Sequence, residues 1–177
     1  MSIPIRNAER SHVVSGERTS FVTSSTWGKT GLLQSARSAR LLINVLYHYR
    51  EQGKYRLHEF VIMPDHIHLL ITVGAEMTVE KAVQLIKGGF AFRAGRELGF
   101  RAPVWQKGFS EIRVYEREAY LGMREYIHAN PLKRFFVAAA ADYPYSSVRP
   151  EFEMDPPAQR LKALPESAGS GIAKAMP

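Results

Sequence analysis

Apolar residues recur along the chain with two periods, every second residue in some segments and every third or fourth in others. Alternation is typical of a half-buried strand, whereas the longer spacing is typical of an amphipathic helix. Alternating runs rich in β-branched and aromatic residues predict strands at 19–27, 55–63, 67–73 and 104–115, the last interrupted near Gly108. Helical spacing predicts helices at 35–50, 78–98 and 117–130. Their expected caps and stops are Ser35, Thr78, Gly99 and Pro131.

The order of these elements is β-α-β-β-α-β-α, and the Pro64-Asp65 step between the second and third strands predicts a hairpin. This order predicts an α+β fold with a ferredoxin-like split βαβ antiparallel sheet. We expect helices on one face of the sheet, an added C-terminal helix that carries Tyr126, and a second face left open for a ligand.

The chain of 177 residues is 45% hydrophobic, which is enough for one folded domain. We place this domain at residues 1–150. Residues 151–177 are rich in Pro, Ala, Gly and Ser and predict a loosely ordered C-terminal tail. Lys and Arg total 24 against 17 Asp and Glu, a net charge of +7 that suits a polyanionic partner.

Cysteine is absent, which excludes disulfide scaffolds and thiolate metal sites. No apolar run approaches the roughly 18 residues of a membrane helix, and the N-terminal residues lack the apolar core of a signal peptide. We therefore expect a soluble cytoplasmic protein without a membrane partner.

His66 and His68 stand two residues apart at the start of the third strand, so both imidazoles project from the same face. Ile67 and Leu69 project from the other face and are expected to be buried. Two interpretations remain open: two ordinary half-buried histidines, or two ligands of one divalent cation. The residue types leave Zn²⁺, Mg²⁺ and Mn²⁺ all open, although a His-Glu-x-x-His zinc motif is absent.

Tyr126 and Asn130 are four residues apart on the third helix and so share one face. A packing tyrosine and an asparagine that ends a helix before Pro131 would account for both. Alternatively, the Asn130 amide oxygen completes a metal site with His66 and His68, and Tyr126 faces the same metal one turn earlier. Tyr120 lies nearly opposite Tyr126 on the helix and is a poor second nucleophile.

Three segments resemble the REP-associated branch of the single-tyrosine HUH transposases: PDHIHLL at 64–70, VWQKGF at 104–109 and REYIHANPLKR at 124–134. The resemblance covers roughly residues 19–150. It implies a ferredoxin-like fold, Mg²⁺ or Mn²⁺ on His66, His68 and Asn130, and Tyr126 as the nucleophile. The implied substrate is single-stranded DNA with a hairpin, cut and rejoined through a 5′-phosphotyrosine by a monomer or homodimer. The NPLKRFFV segment after Tyr126 departs from the family pattern.

A DNA substrate needs cations for its phosphates and aromatic rings for its unpaired bases. The candidate phosphate contacts are Lys87, Arg93, Lys107, Arg113, Lys133 and Arg134, and the candidate stacking residues are Trp27, Trp105 and Phe109. Two other functions remain open. One is a non-catalytic hairpin-binding protein on the same fold, and the other is a metal-dependent phosphodiesterase that uses water in place of the tyrosine.

Overall fold

Four strands and three helices follow one another in the predicted order in the computed structural model, which describes residues 16–161. The strands are β1 (Arg18–Ser25), β2 (Arg56–Ile62), β3 (His66–Val73) and β4 (Ser110–Val114). The helices are α1 (Ala36–Glu51), α2 (Val79–Leu98) and α3 (Arg117–Lys133). No helix within residues 16–161 is both long enough and apolar enough to cross a bilayer.

The strands form one antiparallel sheet in the order β2-β3-β1-β4. β3 therefore lies between β1 and β2, the two strands that α1 connects, which is the split βαβ arrangement. The predicted ferredoxin-like α+β fold is confirmed. β2 and β4 are the edge strands.

α1 and α2 cover one face of the sheet and enclose the larger apolar core. The predicted caps form, because the Ser35 hydroxyl accepts from the Ser38 N–H and the Thr78 hydroxyl from the Lys81 N–H, each at 3.1 Å. Gly99 ends α2 in the left-handed conformation, with φ of 72°. Core side chains from the strands include Val22, Leu57, Phe60, Ile62, Ile67, Leu69 and Ile71.

α3 lies on the second face and covers part of it, so this face is only partly open for a ligand. Tyr120 and Ile127 of α3 pack against Phe21, Val61 and Leu70 of the sheet in a smaller apolar cluster. The physical reason is that these strand residues alternate with the larger core and would otherwise expose apolar surface to water.

Two predicted boundaries are wrong. α3 continues through Pro131 to Lys133, because a proline in the last turn removes a single backbone hydrogen bond and the Asn130 carbonyl is capped by the Arg134 N–H at 3.2 Å. β4 begins only at Ser110. Before it, Trp105 forms an isolated bridge with Thr26 in place of a continuous strand.

The segment predicted as a loosely ordered tail is described as far as residue 161. Its first part runs along the edge strand β2, where the Leu57 N–H donates to the Asp155 carboxylate at 2.7 Å. Asp155 also pairs with Arg50 at 2.8 Å, and Phe152 packs edge-on against Phe60. These contacts cover the open hydrogen-bonding edge of the sheet. Residues 162–177 lie outside the described part of the chain.

Candidate active site

His66 and His68 lie at the start of β3, on the face that α3 partly covers. Their ring centroids are 4.8 Å apart, and they stand opposite Ser25 and Thr23 of β1. Ile67 between them is buried on the other face with the larger core. The alternation of β3 thus places both imidazoles together, at the end of β3 next to the β2–β3 turn. A cavity of about 590 Å³ that includes Thr72 and Gly74 lies at the other end of β3, away from them.

Each imidazole is oriented by a partner on its Nδ1 atom. The His66 Nδ1–H donates to the Asp65 carboxylate at 2.6 Å, and His68 Nδ1 is 2.8 Å from the Thr23 hydroxyl. When Nδ1 carries the proton, Nε2 of each ring keeps a free lone pair, as in histidines that bind metals. Sequence reasoning missed both partners. The signal for Asp65 is its position directly before His66, whereas Thr23 lies on another strand and has no local signal.

The pKa of His68 is lowered to about 3, mainly by burial and further by the nearby charges of His66 and Arg134. The imidazole of His68 is therefore neutral throughout the physiological pH range. Neutral imidazole is the form that binds a metal ion.

Tyr126 lies on α3 directly beside the histidine pair. Its ring is edge-on to His68, with centroids 5.2 Å apart, and edge-on to Phe21 at 5.8 Å. The Lys133 ammonium lies 4.9 Å from the centre of the same ring. Tyr126 is 41% exposed. The phenol is thus accessible to a substrate from solvent.

Tyr120, on the same helix, has the opposite environment. It is buried edge-on against His58, and burial raises its pKa to about 12. A phenol that is both inaccessible and harder to ionise is unsuited to nucleophilic attack.

Asn130 lies one turn after Tyr126 and is buried, and its Oδ1 atom has no hydrogen-bond partner among the described residues. A buried acceptor without a donor costs free energy unless another group satisfies it. Within residues 16–161, no group of three or more His, Asp or Glu side chains is placed so that it could hold a metal ion. The unpartnered amide oxygen of Asn130 is the candidate for a third protein ligand beside His66 and His68, and such an oxygen suits a hard cation. The residues present fit a divalent ion.

A buried carboxylate holds α3 on the sheet. Glu59 Oε2 accepts from His128 Nε2 at 2.8 Å and from the Ser147 hydroxyl at 2.6 Å, and Oε1 accepts from Arg124 Nε at 3.0 Å. Arg124 and His128 are four residues apart and stand on either side of Tyr126 in the sequence. The Glu59 network therefore sets the position of the helix segment that carries the tyrosine.

Sequence reasoning missed this network. β2 carries a bulge between Leu57 and Glu59, and as a result His58 and Glu59 both face α3. The available signal was the polar pair His58-Glu59 inside an apolar run, which breaks the alternation.

Three of the six candidate cations lie near the site. Lys133 contacts the Tyr126 ring. Arg134, the next residue after Lys133, is exposed. Lys107 is exposed in the loop before β4. In this loop the Gln106 N–H donates to the carbonyl of Ser25, which pairs with His66, so Lys107 lies at the same end of the sheet as His66.

The other three cations are engaged elsewhere. Lys87 Nζ donates to the Gln106 and Gly108 carbonyls at 2.7 Å each, and burial lowers its pKa. Arg93 pairs with Glu97 on α2. Arg113 of β4 lies over the ring of Tyr115, which directly follows that strand.

The three candidate stacking aromatics also differ. Trp105 is buried and donates its Nε1–H to the Lys87 carbonyl, and Phe109 packs against the larger core. Trp27 is half-exposed. Of the three, Trp27 alone presents a largely accessible ring.

Comparisons with known proteins show the family to which the chain belongs. The family model described as "Transposase IS200 like" matches residues 26–130, more than half of the chain, and this range includes both histidines, Tyr126 and Asn130. A REP-associated tyrosine transposase of Escherichia coli is 23% identical over 134 residues, 72% of this chain and 78% of that protein. A Haemophilus influenzae protein provisionally named a REP-associated tyrosine transposase is 30% identical over 96 residues, 49% of this chain. That match spans about half of the relative, 54% of its length.

Solved structures show the same fold. A REP-associated tyrosine transposase bound to a REP hairpin superimposes with a TM-score of 0.67, at 20% identity, over 89% of this chain and 94% of that chain. A Deinococcus radiodurans protein provisionally named a transposase gives a TM-score of 0.51 at 20% identity, over 69% of this chain and 95% of that chain. The resemblance found in the sequence is confirmed.

Proposed function

Because this chain belongs to the IS200-like transposase family, we propose that it cuts and rejoins single-stranded DNA with Tyr126 as the nucleophile. The observation that carries the proposal is the contact of the accessible Tyr126 ring with His68, beside two imidazoles whose Nδ1 atoms are already engaged. A nucleophile next to a preorganised ligand pair suits an attack on phosphorus.

We further propose that Mg²⁺ or Mn²⁺ is held by His66, His68 and Asn130. The unpartnered Asn130 Oδ1 atom and the neutral state of His68 support this ligand set. When bound, the ion supplies Lewis-acid polarisation of the phosphate and offsets its developing negative charge. Asp65 and Thr23 keep the two imidazoles in the orientation that such binding needs.

In the proposed reaction the Tyr126 oxygen forms a bond to phosphorus as the bond from phosphorus to the 3′ oxygen breaks. The exposed phenol loses its proton to water, and the 3′ oxygen of the leaving strand takes up a proton from water to become a hydroxyl. The 5′ phosphate remains on Tyr126 as an ester. Attack by another 3′ hydroxyl reverses these bond changes, so rejoining requires no ATP.

The proposed substrate is a DNA hairpin with unpaired flanks. The net charge of +7 supports a polyanionic partner, and the REP-associated transposase of similar fold was solved bound to a REP hairpin. Lys133, Arg134 and Lys107 are the cations whose positions favour phosphate contacts close to Tyr126.

The test is the formation of a covalent protein–DNA adduct, detected by denaturing electrophoresis after incubation with labelled hairpin DNA and Mn²⁺. We expect an adduct with the wild type that disappears with chelator and in Tyr126→Phe. The matched control is Tyr120→Phe, which removes a buried hydroxyl from the same helix and should keep the adduct.

Two outcomes would contradict the proposal. Cleavage that persists in Tyr126→Phe would identify a water-dependent phosphodiesterase. Tight hairpin binding without cleavage by the wild type, over several hairpins, would identify a non-catalytic DNA-binding protein.

A further inference from the structure

The C-terminus of α3 places a phenylalanine where glycine is favoured. The Phe135 N–H donates to the Leu132 carbonyl and the Phe136 N–H to the Pro131 carbonyl, each at 3.0 Å, which is the Schellman pattern of hydrogen bonds. Phe135 occupies the left-handed position of this motif, with φ of 58°. An L-residue other than glycine is strained there because its Cβ approaches the backbone.

Burial does not offset this strain. The Phe135 side chain is 93% exposed, whereas its neighbour Phe136 is half-exposed and lies against Tyr143, with ring centroids 6.2 Å apart. A large apolar ring in solvent gains nothing from the hydrophobic effect. Neither backbone preference nor packing in the described fold therefore accounts for a phenylalanine at this position.

The surroundings of Phe135 indicate what the ring binds. Lys133 and Arg134 precede it directly and are both exposed, and Lys133 also contacts the Tyr126 ring. Phe135 follows Tyr126 by nine residues, about 14 Å at the helical rise of about 1.5 Å per residue. An aromatic ring beside two cations is the combination that binds single-stranded nucleic acid, since the ring stacks on a base and the cations contact phosphates.

We propose that Phe135 is a stacking platform for one unpaired nucleobase, with Lys133 and Arg134 on the adjoining phosphates. This inference rests on the proposed function, because it assigns the platform to the strand that Tyr126 attacks. The strained backbone holds the ring outward, so the platform exists before DNA arrives. The subsite takes any base, since every base offers a π face.

The test measures DNA affinity in the full-length Tyr126→Phe protein, which removes the proposed nucleophile. Fluorescence anisotropy with a labelled hairpin bearing unpaired flanks compares Phe135 with Phe135→Tyr, Phe135→Leu and Phe135→Gly. We expect Phe135→Tyr to keep the affinity. Phe135→Leu and Phe135→Gly should each weaken binding by about 5- to 150-fold, the range for loss of one stacked base.

A second readout separates this role from a structural one. Phe135→Gly should raise the urea midpoint of unfolding while it weakens DNA binding, since glycine relieves the strain. An abasic site is then moved along the unpaired flank of the DNA. At one position it should lower the affinity of the protein that retains Phe135 to that of the Phe135→Gly protein. At the same position it should not lower the affinity of the Phe135→Gly protein further. The control is Phe92→Ala, which also removes an exposed phenylalanine. Phe92 lies on α2, which covers the opposite face of the sheet, so this variant should bind the DNA with unchanged affinity.

Unchanged affinity in Phe135→Gly and Phe135→Leu would overturn the proposal. A change in sedimentation of the DNA-free protein on Phe135→Gly would overturn it too, by identifying a contact between copies of the chain. Failure of the transesterase itself is distinguishable. In that case the wild type forms no adduct, while the base-dependent loss at Phe135 remains.

Discussion

The two faces of the sheet bury side chains of different chemistry. Toward α1 and α2 the strands present an apolar layer, with Phe60 and Leu69 among its buried members. Toward α3 they present a smaller apolar cluster and, beside it, buried polar residues. These polar residues are Thr19, His58, Glu59, His68 and Thr72. Both faces exclude water from the strand backbone, and the proposed catalytic groups lie on the second.

Hydrogen bonds make the polar face stable. His58 Nδ1–H donates to the Asp155 carbonyl at 3.0 Å, so its Nε2 accepts from the Thr72 hydroxyl at 2.7 Å. Thr72 in turn accepts from Thr19 at 2.7 Å. Among the described residues of this face, the unpartnered Asn130 oxygen is therefore an exception. One sheet thus carries a largely apolar core on one face and the proposed catalytic groups on the other.

The largest expected effect on stability is on the apolar face. Phe60→Ala should lower the free energy of unfolding by about 3–5 kcal/mol, because it leaves a cavity in a fully buried site. Urea denaturation measures this loss. Adduct formation by the fraction that remains folded should be unchanged, since Phe60 faces away from Tyr126. A loss below about 1 kcal/mol would mean that the two faces do not differ in packing as described.

A smaller loss of stability, accompanied by a loss of activity, is expected on the polar face. Glu59→Gln should cost about 1–3 kcal/mol, because His128 and Arg124 lose a charged acceptor. The rate of adduct formation should fall by about 10- to 100-fold as α3 shifts. The control Glu118→Gln changes an exposed carboxylate on the same helix. If both variants react at the wild-type rate, Glu59 has no role in positioning Tyr126.

The smallest effect is the pH dependence that His58 confers. Burial is the main cause that lowers the pKa of His58 in the folded protein. As the pH falls, His58 is therefore protonated in the unfolded chain before it is protonated in the folded protein. The contribution of neutral His58 to the free energy of unfolding is present above about pH 6.5 and is lost as the pH falls below that value. From pH 7 to pH 6 this loss is below about 0.7 kcal/mol.

The difference in urea midpoints between the wild type and His58→Gln, at several pH values, isolates this contribution. His68 shifts in the same direction and remains in both proteins, so it cancels. If the difference in urea midpoints is the same at every pH, the pKa of His58 is not lowered by folding.

The periodic features were predictable from the sequence because they are local. Alternation located the strands, and the two-residue spacing of His66 and His68 placed both imidazoles on one face. The four-residue spacing of Tyr126 and Asn130 placed both on one helix. The metal ligands and the role of Tyr126 stay proposals.

The contacts that complete the site were not predictable, because they join distant segments. Glu59 meets His128, 69 residues later, and Thr23 meets His68, 45 residues later. The position of α3 over the second face depends on these pairings and on strand order. The spacing of residues within a helix carries no information on either. Similarly, the contacts of Lys87 depend on a loop that follows α2.

The bulge in β2 has a consequence for comparing sequences of different length. Leu57 and Phe60 face the larger core, with two residues between them where strict alternation allows one. Removing His58 or Glu59 would restore regular pairing and leave every other side chain of β2 on its present face. A deletion elsewhere in the strand would turn part of it inside out. Relatives that differ by a single residue in β2 are therefore expected to place the gap between Leu57 and Phe60.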